Sequence, residues 1–304
     1  MRGCPLAWPR GWPSAVNLAP FLLIMKSFLR CLVFTALACA AVPPWVSAQI
    51  DLSTRLDHRI YLQFEPVVAR TTVRSRIGQP VVLNSDATGP RFYYEVRNDF
   101  GHALARLPEV EPPPPVMMSA QGTLVFTNEM NRIFPMNQPG HYSIQPCVDW
   151  MGKTYRGEKR HLEVVTGREV SRITGVVPAD DTTRTYMIFH INRGQQDHIL
   201  LRIDDEAANL CYGVFALGRS VLNESPQLAV DAVGNAHILF QTAPRTYAHM
   251  IYSPFGARLE GQTFGQAYSH IQLQSQPNGR IEAVGQRAEK SPGPGMIDSI
   301  LPNR

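Results

Sequence analysis

One stretch constrains the fold more than any other. Residues 226–256 read PQLAVDAVGNAHILFQTAPRTYAHMIYSPFG. Two apolar runs, Ala236–Phe240 and Ala248–Tyr252, flank a turn around Pro244, with further turns at Asp231–Gly234 and Pro254–Gly256. Each run is short and bounded by turn residues, so each reads as a strand rather than a helix. The pattern recurs roughly fifty residues upstream. There Thr185–Phe189, a polar turn at Arg193–Gln195 and a return strand at His198–Ile203 repeat it. In this alignment His198 and His249 fall at equivalent points. Downstream, Leu228–Gly234 matches Leu273–Gly279, and each is followed by an Ile-centred strand, at Ile238 and Ile281. Repeated hairpins without a long amphipathic helical run predict an all-β chain.

The first 48 residues stand apart from this pattern. Met25–Arg30 is a short basic segment and Cys31–Val42 an apolar run too short to span a bilayer. Val46-Ser47-Ala48 places small residues where a signal peptidase reads, which predicts a leader over 1–48, a true start at Met25 and a mature chain beginning at Gln49. An uncleaved anchor is disfavoured by Pro43-Pro44, and a lipoprotein attachment at Cys39 is a minor alternative. The implied location is periplasmic or extracellular. Four of the 29 basic residues (Arg2, Arg10, Lys26, Arg30) and none of the 25 acidic ones lie in this segment, leaving 25 of each. A neutral mature chain gives no electrostatic case for nucleic acid or an anionic membrane.

Along the mature chain, Arg59–Phe64, Val67–Arg76, Arg91–Asn98, Gly122–Thr127 and His161–Val165 read as strands. Turns fall at Ile77–Pro80, Asp99–His102 and Met151–Lys153. Leu107–Val116 holds four consecutive prolines. It cannot pair in a sheet, so it reads as a stiff polyproline-type loop. The segment Asn137–Ile144 carries Pro139-Gly140-His141-Tyr142-Ser143-Ile144. This resembles the entry to the sixth strand of immunoglobulin-like and fibronectin-like sandwiches, and Gly78-Gln79-Pro80-Val81-Val82-Leu83 resembles their second strand. The resemblance implies a sandwich over about residues 58–166 and a tyrosine corner at Tyr142 entered through Gly140. Cys147 and Trp150 do not match the antibody cysteine and core tryptophan.

The second half resembles propeller blades, on the strength of the Val230–Phe240 pattern with Asp231, Gly234, Asn235 and His237. Residues 168–288 hold about two and a half units, whereas a closed propeller needs about four blades. An open meander is the expectation. The layout is therefore a leader over 1–48, a sandwich over 49–166, an antiparallel repeat domain over 167–288 and a mobile tail over 289–304.

Few residues offer chemistry. Asp231 is spaced wrongly for a sialidase-type box and reads as the cap of a turn closed by Gly234. Five of nine histidines lie in the second half, but none is spaced to share a metal. Asp180-Asp181 and Asp204-Asp205-Glu206 read as solvated turns rather than calcium sites. No nucleophile elbow, P-loop or dinucleotide fingerprint is present, and no cofactor is implied. Cys147 and Cys211 are left to form an inter-domain disulfide or to remain buried thiols. Clustered aromatics (Tyr247, Tyr252, Phe255, Phe264, Tyr268) read as strand core before they read as a ligand platform. The function class that remains is a non-catalytic binding or adhesion module of the cell envelope, for a protein or glycan. Two alternatives stand beside it. A polysaccharide hydrolase or lyase would need Asp204, Asp205, Asp231 or Glu260 to converge. A structural assembly subunit would self-associate through hairpin edges.

Overall fold

The computed structural model describes residues 49–85, 89–221, 224–265 and 268–287, all within one compact unit beginning at Gln49. The expected leader, with Met25 and Cys39, and the tail over 289–304 lie outside the described residues. The first strands are β1 (Ile50–Leu56), β2 (Ile60–Leu62), β3 (Val68–Ser75), β4 (Val81–Leu83), β5 (Arg91–Asn98), β6 (Val116–Met118) and β7 (Thr123–Glu129). One helical turn, α1 (Met130–Ile133), precedes β8 (Gly140–Trp150), β9 (Lys153–Arg156) and β10 (Arg160–Val165). They form a sheet ordered β1-β3-β7, a sheet ordered β2-β10-β8-β5 with β9 on β8, and a β4-β6 pair. All pairings are antiparallel except β2 with β10.

The alternation that marks these strands in sequence sorts their faces. In β3, Ala69, Thr71, Val73 and Ser75 are buried while Arg70 and Arg74 face water. Tyr142, Ile144 and Leu162 meet Ala69, Val96 and Phe134 in one core cluster. Phe92, Val148 and Trp150 meet Ile50, Val73 and Leu83 in another.

The remaining strands are β11 (Arg168–Val177), β12 (Thr182–Arg193), β13 (Gln196–Asp205), β14 (Leu210–Arg219), β15 (Gln227–Val230), β16 (Ala236–Ala243), β17 (Thr246–Tyr252), β18 (Arg258–Phe264), β19 (Tyr268–Ser275) and β20 (Ile281–Arg287). They form two sequential four-stranded sheets, β11 to β14 and β15 to β18, and a β19-β20 hairpin. Tyr186, Ile188, Ile199 and Leu201 of the first sheet pack on Ala236, Ile238 and Phe240 of the second. The far side of the first sheet, with Ile191, Leu200 and Val214, meets Leu62, Phe64 and Val165. The far side of the second, with Leu239, Tyr247 and Phe264, is covered by Ile271 and Leu273 of β19. The inner strands of both four-stranded sheets are thus buried on both faces. That is why β12 and β16 read as continuous apolar runs rather than alternating ones.

The hairpin turns stack as well. Gly234, at φ +89°, lies against Val177 at the end of β11, and a Cβ there would come within 3.3 Å of it. Ala232 N–H donates to Gly279 O at 3.0 Å, joining the Asp231 turn to the β19–β20 turn. No helix of the described residues is long and apolar enough to cross a membrane.

Candidate functional site

Tyr142 Oη donates to Gln138 O at 2.7 Å, four residues upstream. Gly140 opens β8 at φ +150°, where a Cβ would press Asp99 Oδ2 at 3.1 Å. That carboxylate needs the space, because its Oδ1 accepts from His141 N–H at 2.6 Å. Asp231 Oδ1 accepts from the N–H groups of Val233 and Asn235 at 3.0 and 2.8 Å, and Oδ2 from Asn235 Nδ2 at 2.9 Å. Burial pushes its carboxyl up, but these bonds and His237 outweigh burial and hold it below the usual carboxylate range.

The disulfide option is not realised: Cys147 and Cys211 are both free. Cys147 is paired across β5 with Tyr93, whereas Cys211 lies in β14 opposite Asp204, so the two thiols sit in different sheets. Burial pushes the Cys147 thiol up to about 11 and the Cys211 thiol up to about 12, away from the nucleophilic thiolate.

The four carboxylates that a polysaccharide enzyme would need do not converge, and three of them are engaged separately. Asp204 is bound by Arg202 at 2.6 Å, Asp205 by the buried Arg184 at 2.9 Å, and Asp231 by its own turn. Glu260 lies exposed on β18. Among the described residues no three His, Cys, Asp or Glu side chains are grouped to hold a metal ion.

One contact escaped the sequence reading. His237 and His249 are both buried and stacked, with Nδ1 of one 3.2 Å from Nε2 of the other. His237 Nε2 also reaches Asp231 Oδ2 at 3.3 Å. The proposed equivalence of His198 and His249 fails on register. Leu239 opposes His249, whereas Ile188, its counterpart in the repeat, opposes Leu201. His198 instead opposes Ile191 near the β12–β13 turn. A register shift between Gln241 and Ala243 separates the two hairpins, and sequence spacing alone does not show it.

A cleft of about 520 Å³ lies elsewhere, lined by residues of β5, β7, α1 and the proline segment. Its floor is aromatic. Phe92 of β5 stacks on Phe126 of β7, with centroids 4.7 Å apart and planes at 18°. Tyr94, Ile133 and Phe134 extend it, and Pro112 and Pro113 form one wall. The proline wall follows from sequence, since Pro112–Pro115 carry no N–H with which to pair. The outer edge of β7 accordingly has no strand partner among the described residues, and Val125 there is exposed.

The charged groups of the cleft lining are cationic. Arg91, bridged to Asp149 at 3.3 Å, and Arg106, which donates to Glu111 O, stand among its lining residues, and no Asp or Glu does. Tyr94 Oη is saturated, donating to Thr71 at 2.9 Å and accepting from Asn128 at 3.1 Å. Asn84, at φ +61°, uses Oδ1 to accept Phe92 N–H at 2.8 Å. Among the described residues its Nδ2 is buried without a partner. An unsatisfied buried donor beside an aromatic floor is suited to a ligand that brings acceptors and apolar surface. A second cleft, of about 550 Å³, is lined by Arg55, Arg59, Lys159 and Arg160 with Asp57 and Glu158. Arg160 is tied to Glu158 at 2.8 Å.

No family model matches the chain, and no curated protein matches it. Among solved structures, the sporulation control protein Spo0M from Bacillus subtilis is similar at 10% identity and TM-score 0.25, over 54% of this chain and 83% of that one. The SafA pilin in complex with the SafB chaperone from Salmonella enterica is similar at 10% identity and TM-score 0.22, over 70% of this chain and 96% of that one. Likenesses this distant carry no argument about function.

Proposed function

We propose that the chain is an exported, non-catalytic binding module of the cell envelope, and that it takes a protein segment in the aromatic cleft between β5 and β7. In this reading residues 1–48 are a leader, 49–166 an immunoglobulin-like sandwich, and 167–288 a blade-like repeat domain that stiffens it. The observation that carries the reading is the chemistry of the cleft lining. It offers a stacked aromatic floor, two guanidinium groups and an unpartnered Asn84 amide, with no carboxylate to act as acid or base. An extended segment suits it, because its carbonyls are acceptors and its side chains reach the floor at every second residue. The free edge of β7 adds unpaired backbone groups along one side.

The test is selection of displayed peptides against the purified chain, followed by affinity measurement with two variants. Arg106→Glu reverses a rim charge and Phe126→Ala removes half of the stacked floor. Selected peptides are expected to lose about tenfold or more in affinity with each, since a buried aromatic contact is worth one to several kcal/mol. Undiminished binding to both variants would place the site elsewhere. A concentration-dependent dimer abolished by Val125→Arg would favour the assembly-subunit reading, with a second copy on the β7 edge.

A further inference from the structure

Outside the cleft, one cluster of buried titratable groups is left without a structural reason. It lies between the second four-stranded sheet and the β19–β20 hairpin. Cross-strand register puts Gln227, His237, Leu239, Tyr247, His249 and Phe264 on one face of that sheet. Leu239, Tyr247 and Phe264 pack there against Ile271, with Leu273 and Ala283 alongside. The His237–His249 pair therefore sits in the layer that the hairpin covers.

The hydrogen bonds fix where the protons are. Asp231 is a carboxylate and accepts only, so His237 carries its proton on Nε2 and presents a lone pair at Nδ1. His249 then donates from Nε2 to that lone pair across 3.2 Å. One proton lies between the facing nitrogens. Adding a proton to Nδ1 of His237 makes it the donor and requires His249 to move its own proton to Nδ1, within the apolar layer. Adding one to His249 places a cation in the apolar layer, beside its stacked neighbour.

A charge on His249 is compensated by no acidic group bonded to its ring among the described residues, and the one carboxylate that touches the pair, Asp231, meets His237 instead. Asp231 already accepts three bonds from its own turn. Glu260 of β18 is exposed, opposite Ile251, and bonds neither ring. Gln262 of β18 opposes His249 and is uncharged, and Gln227 of β15 is likewise neutral. Tyr247 is bonded to Glu224 at 2.9 Å. The hairpin brings Ile271, Leu273 and Ala283 to the interface, while Glu282 is exposed. The hairpin is also lightly tied. It is a separate two-stranded sheet, held among the described residues by side-chain packing, two bonds between Gln227 and the backbone of Ile271 and Leu273, and one from Ala232 to Gly279.

We propose that the His237–His249 pair is an acid-operated latch: when neutral it keeps the β19–β20 hairpin docked, and its protonation releases the hairpin and bares the Leu239–Tyr247–Phe264 face. Burial first, and the neighbouring His237 second, lower His249 to about 4. A released imidazole returns to its ordinary value near 6.5. The docked state is thus fully favoured above about 6.5 and weakens as pH falls toward 4. For one proton the shift is about tenfold per pH unit and roughly 300-fold over the window.

The experiment is amide hydrogen exchange on the full chain between pH 7.5 and 4.5, corrected for intrinsic rates, in the native protein and in His249→Phe. In the native protein, opening of β19 and β20 is expected to rise about tenfold per unit below pH 6.5, while β12 and β13 stay protected. In His249→Phe the same strands are expected to respond little to pH. A flat native profile, an equal rise in the variant, or simultaneous loss of β12 and β13 would overturn the latch. Should His249→Phe fail to fold, imidazole titration by NMR in the native protein decides. His249 remaining neutral down to about pH 5 supports the latch, and ordinary titration near 6.5 with β19 still protected overturns it.

Discussion

Arg193 offers the sharpest test of how the two halves of the described chain hold together. It stands at the end of β12 and reaches back to residues before β3. Its Nη2 meets both carboxylate oxygens of Glu65, at 2.5 and 2.6 Å, and its Nε donates to Ile60 O at 3.1 Å. Glu65 Oε2 also accepts Leu62 N–H at 2.8 Å, so the carboxylate organises the β2 exit. Both side chains are only 7% exposed, which makes this a desolvated pair and not a surface bridge. Arg193→Leu leaves the carboxylate buried and uncompensated, at a cost of about 3–5 kcal/mol. For a chain of this size each kcal/mol lowers Tm by about 2–4 °C, so a fall of about 6–20 °C is expected. Replacing both partners, Glu65→Leu with Arg193→Leu, removes the stranded charge and recovers most of that loss. Thermal melts followed by circular dichroism at pH 7, on both single variants and the double, measure the coupling. The reasoning fails if Arg193→Leu melts within about 3 °C of the parent, or if the double variant loses the sum of the singles.

Three further outcomes follow from contacts already described. Tyr142→Phe removes one partly buried hydrogen bond to Gln138 and is expected to cost about 1 kcal/mol in urea unfolding, with Cm falling and m unchanged. Gly234→Ala forces a β-carbon into a left-handed turn against Val177 and is expected to destabilise by more than 1 kcal/mol, whereas Gly194→Ala, also left-handed but in open space, is expected to cost less. With thiols raised to about 11 and about 12, neither Cys147 nor Cys211 should react with an aromatic disulfide reagent within minutes at pH 8 in the native chain from Gln49, and both should react in guanidinium. One rapid equivalent in the native state would contradict the burial assigned to them.

The all-β class was legible because its signals are local. The Asp231–Gly234 turn declares itself through Asx chemistry and a glycine at positive φ, and the β16 and β17 runs through their bounding turn residues. The proline segment was legible for the same reason, since four residues without N–H groups exclude a strand. The cleft it walls was not. Phe92 and Phe126 are 34 residues apart in number and meet only because two sheets face each other. The histidine pair depended on register. His237 and His249 lie one strand apart, and a shift at Gln241–Ala243 decides which residue faces which. Asn84 gave no sequence signal at all, because its importance rests on an amide left without a partner.

The claim that function resides in the β5–β7 cleft is tested most directly by NMR mapping of a selected peptide onto the labelled chain. The account predicts that the Asn84 side-chain amide and the methyl groups of Leu104 and Ile133 shift on titration, with the Asn84 amide proton moving downfield as it gains an acceptor. Shifts confined to the Arg55–Arg59 and Glu158–His161 cleft, or to β19 and β20, with Asn84 unmoved, would contradict it.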